Sequence, residues 1–215
     1  MTTQSTPDVE DKPMTLREQK KAERREQLLA AAASMFADRG FTSVRLEDLG
    51  AAVGVSGPAV YRHFPNKEAV LVELLVDISA FLLAGGRRVV DDEGEGGQTL
   101  RDLIEFHLDF AVGSPALIRI QDRDLQNLPE SARRKVRRMQ REYVELWVST
   151  LCSVDSSLSE SDARTQAHAL FGLINSTPYS AGRSPSRGAR SVLRGMAFGA
   201  LGIEEQCGDV RSVNG

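Results

Sequence analysis

The stretch from Phe41 to Leu71, FTSVRLEDLGAAVGVSGPAVYRHFPNKEAVL, decides the fold of this chain. Leu46, Leu49, Ala52 and Val53 recur at helical spacing and leave Glu47, Asp48 and Ala51 on the other side, so the first segment reads as a short amphipathic helix. Gly54 can take the left-handed conformation that ends a helix, and Val55 then plugs the angle between two helices. Ser56 is a good N-cap for a second helix, and Pro58 falls in a first turn that has no internal N–H bond to lose. Stop, turn and start occupy consecutive positions, which predicts a helix, a tight turn and a helix.

Beyond the cap, Val60 and Phe64 face inward, while Gly57, Ala59, Tyr61, Arg62 and His63 remain for the outside. Those outer residues are small at the helix start, then aromatic and basic. A DNA major groove admits a helix whose N-terminal residues approach base edges while Arg, Tyr and Lys hold phosphates. An ordinary buried helical hairpin shares the generic part of this pattern, but the pattern here is longer.

Phe41, Thr42, Ser43 and Val44, then Gly54, Val55 and Ser56, then Tyr61, His63, Phe64, Lys67 and Glu68 give the chain its resemblance to the tetracycline-repressor (TetR) family of bacterial transcription regulators. It departs from the family pattern at Gly50 and Val53, where alanine is usual, and at Gly57-Pro58. The resemblance covers roughly the first third of the chain. It implies an all-α fold of about nine helices, with an N-terminal helix-turn-helix DNA-binding domain followed by a helical ligand-binding and dimerisation domain. On that reading Thr42, Arg45, Tyr61 and Lys67 meet phosphates. Gly57, Ala59 and Arg62 meet base edges or allow their approach, within a recognition segment running from Ser56 to His63.

Composition bounds the alternatives. The 215 residues suffice for one or two domains with a substantial core. With 27 Lys and Arg against 30 Asp and Glu, the net charge of −3 argues against a protein that coats nucleic acid through bulk charge. It leaves room for a local basic face: Arg17, Lys20, Lys21, Arg24, Arg25, Arg39, Arg45, Arg62 and Lys67 outnumber the acids between Leu16 and Lys67. Cys152 and Cys207 stand far apart without CxxC spacing and read as free thiols. No apolar run approaches a membrane span and no apolar core suggests a signal peptide, so a soluble, cytoplasmic protein without a membrane partner is expected.

In chain order, residues 1–14 lack apolar periodicity and read as a disordered lead, residues 15–66 as the DNA-binding domain, 67–205 as the ligand-binding and dimerisation domain, and 206–215 as a tail. Thr15 and Glu18 form a capping-box pattern at the start of the first helix, whose early cations read either as a solvated face or as phosphate contacts. A long helix begins behind Asn66. Gly85-Gly86 and the acidic, glycine-rich run from Asp91 to Gly97 read as a surface loop after it. Further helices are expected over Thr99–Gly113, from Ser114 to about Ile120, over Glu130–Val154 and Ser159–Asn175, and from about Ser186 to Ile203. Gln121 to Pro129 reads as irregular and Ser176 to Pro185 as turn-rich.

Phe106, His107, Phe110, Tyr143, Trp147 and Phe171 lie on inward or flanking faces of three of these helices and are the expected lining of a ligand pocket. The arginines that open the Glu130 helix suggest a ligand with an apolar tail and an anionic head, such as an acyl thioester of coenzyme A. A neutral or cationic hydrophobic compound is the alternative, and aromatics that merely form core would need no ligand. Ala163, Ala167, Leu170 and Ile174, with Leu193, Met196, Ala197 and Ala200, form two small-residue stripes that suit a four-helix homodimer seam or packing within one subunit. No phosphate-binding loop, zinc signature or dinucleotide fingerprint is present, so neither cofactor nor metal is expected. Gly54-Val55-Ser56-Gly57-Pro58 lacks the glycine and the preceding strand of a nucleophile elbow, which counts against an enzyme. A pure interaction bundle leaves Tyr61, Arg62, His63 and Lys67 unexplained. The expected partners are therefore a double-stranded DNA operator, a small-molecule effector and a second copy of the chain.

Overall fold

Helix α1 (Leu16–Arg39) opens on Thr15, whose hydroxyl accepts the Glu18 N–H while the Glu18 carboxylate accepts the Thr15 N–H at 2.8 Å. This reciprocal cap satisfies two backbone donors that the first turn leaves orphaned. The computed structural model describes residues 15–92, 94, 96–180 and 187–203. The expected lead 1–14, the tail 206–215 and Cys207 lie outside the described residues. α1 ends at Gly40 with φ +89°, and a 3-10 turn over Phe41–Ser43 leads to α2 (Leu46–Ala52). Gly54 follows with φ +72°, the left-handed conformation that the turn demands.

The second helix of the pair, α3 (Gly57–Val60), is a single turn, carried on by hydrogen-bonded turns to Phe64. α4 (Lys67–Asp91) begins behind Asn66, whose side chain accepts the Ala69 N–H at 2.8 Å. Leu28, Phe36, Leu49, Val60, Phe64 and Leu71 are fully buried and form the centre of the head. Ala52, expected on the inner face of α2, is exposed, and Gly50 is buried instead.

The body comprises α5 (Gly96–Gly113), α6 (Pro115–Asp124), α7 (Glu130–Val154), α8 (Glu160–Ile174), the single turn α9 (Thr177–Ser180) and α10 (Arg187–Ala200). No strand occurs among the described residues. Trp147 is fully buried in a second core that α4, α5, α7, α8 and α10 share. α6 continues to Asp124, with a 3-10 turn over Leu125–Asn127, where an irregular segment was expected.

Gly85 and Gly86 are not in a loop. Both are buried inside α4, because the aromatic rings of neighbouring helices lie directly on its backbone. A β-carbon on Gly85 would stand 2.1 Å from Phe106 of α5, and one on Gly86 would stand 2.6 Å from Tyr143 of α7. Glycine costs roughly 1 kcal/mol in a helix interior, and this close double approach accounts for it. α4 also corrects the expectation that no segment approaches membrane length: it holds an 18-residue window of mean hydropathy 2.0. More than half of that window is buried against α5 and α7, as befits a core helix.

Head and body meet at α6. Its Ile120 joins Leu128 and Val136 in the head's apolar core. The next turn carries Arg123, whose guanidinium donates to the carbonyls of Phe36 and Ala37 at the C-terminus of α1. Asp124, itself buried, pairs with Arg123 at 2.9 Å. A cation on the last carbonyls of a helix satisfies orphan acceptors and complements the dipole.

Candidate nucleic-acid interface and effector cavity

Ser56, in the turn between α2 and α3, and Arg62, just beyond α3, are exposed, with Gly57 and Ala59 half-exposed beside them. Ser56 holds the N-cap position through its carbonyl, which accepts from Ala59 and Val60, and its hydroxyl makes no capping bond. Thr42 and Arg45 are exposed on the preceding segment. Arg45 caps α2 only through its backbone N–H, which donates to Asp48 at 2.8 Å. Tyr61 is 50% exposed, and its hydroxyl donates to Glu47 at 2.6 Å. That bond lowers the Glu47 carboxyl and raises the Tyr61 phenol relative to their ordinary values. His63 lies half-buried, its imidazolium disfavoured first by burial and then by Arg25, Lys21, Arg24 and Arg62.

Lys67 departs from the phosphate role expected of it. Its ammonium donates to the carbonyls of Phe41 at 2.9 Å, Thr42 at 3.2 Å and Val44 at 3.1 Å, and it sits 4.4 Å from the Phe41 ring centroid. An ammonium has three protons, and all three are engaged. Lys67 thus pins the turn before α2 to the start of α4. Arg25 fastens the same region from α1, since it pairs with Glu73 of α4, donates to the His63 carbonyl and lies 4.1 Å over the Phe64 ring.

In the body, a cavity of about 230 Å³ opens between α4, α5, α6, α7 and α8. Four of the six residues expected to line it do so: His107, Phe110, Tyr143 and Phe171. Trp147 lies behind them, edge-on to His107, Tyr143 and Phe171. Phe106 faces a separate groove beside Phe81, because its ring is seated on Gly85. His107 bridges the Tyr143 hydroxyl at 3.2 Å and the Asn175 side-chain oxygen at 3.1 Å. Burial lowers its pKa to about 4, so it is a neutral hydrogen-bonding group at pH 7. Ser79, Gln121, Met139, Gln140, His168 and Asn175 complete much of the wall and were not anticipated. Periodicity marks apolar faces, and all of these side chains except Met139, which lies on the apolar face of α7, are polar.

The arginines of α7 do not reach this cavity, and no Lys or Arg among the described residues lines it. Arg134 pairs with Glu130 and Arg138 with Glu142, on the exposed side of the helix. The stripe read as a dimer seam also needs correction. Ala163, Ala167, Leu170, Ile174, Leu193 and Ala197 are buried within the subunit's own core, whereas Met196 and Ala200 face out. The open side carries Thr165, Ala169 and Gly172 on α8, with Val192, Gly195, Met196 and Gly199 on α10. Val192 is 61% and Met196 53% exposed, and no atom of the described residues lies within 4 Å of a β-carbon added at Gly172, Gly195 or Gly199.

Residues 28–74 match the bacterial regulatory proteins of the tetR family, and residues 93–179 match the tetracyclin repressor-like C-terminal domain. The chain belongs to the TetR family. The nucleoid occlusion factor SlmA of Photobacterium profundum is 37% identical over 102 residues, 47% of this chain and 52% of that protein. The chain thus spans about half the length of the curated relatives it matches. A TetR-family regulator from Bordetella parapertussis shares the fold with a TM-score of 0.75 at 22% identity, covering 89% of this chain and 98% of the other. AibR, solved in complex with isovaleryl coenzyme A and operator DNA, gives a TM-score of 0.67 at 18% identity over 81% of this chain and 98% of its own.

Within this TetR-family head, the glycine at position 50 has a local cause. A β-carbon there would lie 2.4 Å from Val60 Cγ2 and 3.1 Å from the Val55 carbonyl. α2 and α3 approach too closely for alanine. The contacts that hold the TetR-type turn in place, Arg24 on the Val53 carbonyl at 3.0 Å and Arg25 on Glu73, were hidden in the sequence among the charges of α1.

Proposed function

We propose that the protein is a homodimeric transcriptional regulator that reads a palindromic operator through Ser56–His63 and leaves it when an uncharged small molecule occupies the body cavity. The observation that carries this reading is Arg62. It is exposed beside Gly57 and Ala59 and has no hydrogen bond or ion pair among the described residues. A basic side chain kept free next to small residues at a helix start suits entry into a major groove. Thr42, Arg45 and Tyr61 flank it for phosphates, while Lys67 and Arg25 hold the frame. Anisotropy titration of a labelled duplex tests this: Arg62→Ala should weaken binding, each base contact being worth about 1–3 kcal/mol, with the melting temperature unchanged. Equal affinity of the variant and the parent would reject it.

The second copy would cover the open face of α8 and α10. Small residues there permit close helix approach, and Val192 and Met196 supply the apolar area. Gly195→Arg should yield monomers in size-exclusion chromatography, whereas a variant that stays dimeric moves the seam elsewhere.

The cavity favours an uncharged, partly aromatic or aliphatic ligand over an acyl thioester. A charge buried without a partner is costly, and among the described residues no Lys, Arg, Asp or Glu lines the wall. The likeness to AibR, at 18% identity, carries the fold and not its ligand. Release would run through α6, since Ile118 and Gln121 wall the cavity while Arg123, one turn on, caps α1. The nucleoid occlusion named for the SlmA relatives is not carried over, because the match spans about half of each chain. A thermal-shift screen tests the ligand: a binder at 100 times its Kd stabilises by roughly 2.7 kcal/mol. Stabilisation by acyl thioesters and by no neutral compound would reverse the preference.

A further inference from the structure

Among the described residues, Arg17, Lys20 and Lys21 of α1 make no contact that the fold of the head uses, unlike Arg24 and Arg25. Arg17, Lys20, Lys21 and Arg24 stand at i, i+3, i+4 and i+7, the spacing of a single helix stripe. With Arg62 and His63 they line a groove of about 460 Å³ between the first turns of α1 and the end of the recognition segment. No carboxylate among the described residues lines it. Glu18 is occupied with the Thr15 cap, and Glu73 is occupied with Arg25.

The contrast with Arg25 is informative. One residue past the stripe, on a different phase of the same helix, that arginine has a carboxylate, a carbonyl and a ring as partners. Arg17, Lys20, Lys21 and Arg62 have none among the described residues, and Arg24 has only the Val53 carbonyl. Cations in the first turns of a helix also oppose its dipole. Mutual repulsion and the dipole both disfavour the arrangement in the free chain, and an anion in the groove relieves both.

We propose that this groove seats a backbone phosphate of duplex DNA outside the base pairs read by the recognition segment, so that α1 extends the footprint through Lys20, Lys21 and their neighbours. The inference rests on the DNA-binding reading above. It assigns an anchoring role, independent of sequence, to residues that lie outside the helix-turn-helix itself. A phosphodiester fits because its oxygens only accept, and guanidinium and ammonium groups only donate.

The test is the salt dependence of affinity for a 30-base-pair mixed-sequence duplex, measured for the parent and for Lys20→Gln/Lys21→Gln. Each phosphate contact contributes about 0.9 to the slope of log K against log salt. The double variant should therefore lose about one unit of slope and bind every duplex more weakly, with an unchanged melting curve. DNA binding with an undiminished slope overturns the groove assignment and leaves the recognition segment standing. Absence of duplex binding by the parent at low salt overturns both. Stabilisation by inorganic phosphate that the double variant abolishes, with the DNA slope intact, assigns the groove to a free anion and also overturns the proposal.

Discussion

Val60 Cγ2 occupies the place where a β-carbon on Gly50 would stand, at 2.4 Å. The crossing of α2 and α3 is therefore set by the absence of one methyl group. Gly50→Ala should destabilise the head by about 1–3 kcal/mol, the range for overpacking a filled core. Combining it with Val60→Ala should cost less than the two changes summed, because each relieves the other. Additive denaturation energies would show that the helices do not meet as described.

Lys67 gives a prediction of opposite kind to Arg62. With three carbonyls on its ammonium, Lys67→Gln should lower stability by about 1–3 kcal/mol. The salt slope for DNA should stay as in the parent. A reduced slope with unaltered stability would return Lys67 to the phosphates.

Much of this was legible in the sequence. Gly54, Ser56 and Pro58 announce a turn through local backbone rules, and the structure has the left-handed Gly54 at that place. The unread part depends on what packs against what. Gly85 and Gly86 look like a loop because glycine weakens helices, and only the rings of Phe106 and Tyr143 explain them. The Ala163–Ala167 stripe has a clear period, but periodicity does not say whether the partner is the same subunit or another. Lys67 reads as a free charge until the carbonyls of the 3-10 turn are seen around it.

His107 links pH to stability. Its pKa falls from 6.5 to about 4 on folding, so between those values the unfolded chain binds the extra proton. Stability should rise with pH through that window and level off above it. The full effect amounts to about 3 kcal/mol. Urea melts from pH 7 to pH 4.5 should show a smaller decline for His107→Gln than for the parent; parallel declines would contradict a buried neutral imidazole.

On the proposed DNA-binding reading, His63 links pH to affinity. Burial and the facing charges of Arg25, Lys21, Arg24 and Arg62 lower its pKa in the free protein, and Glu73 faces Arg25 from α4. A bound phosphate offsets those cations and raises the pKa, so binding takes up a proton. Affinity should then fall as pH rises through the bound-state pKa. His63→Gln should flatten the profile, and an unchanged pH dependence in that variant would sink the linkage.

The Glu47–Tyr61 bond keeps a carboxylate on the face proposed to meet DNA. Glu47→Gln removes one like charge from the phosphates and should raise affinity for all duplexes at low salt. Loss of affinity would mean that Glu47 acts by positioning Tyr61.

The most direct test of a dimer reading DNA through Ser56–His63 is selection of bound duplexes from a random pool, followed by sequencing. The expected result is a palindrome whose half-sites are centred about one helical turn apart or somewhat more, with Arg62→Ala failing to enrich it. Enrichment of no motif by the parent, or of the same motif by both proteins, would contradict the account.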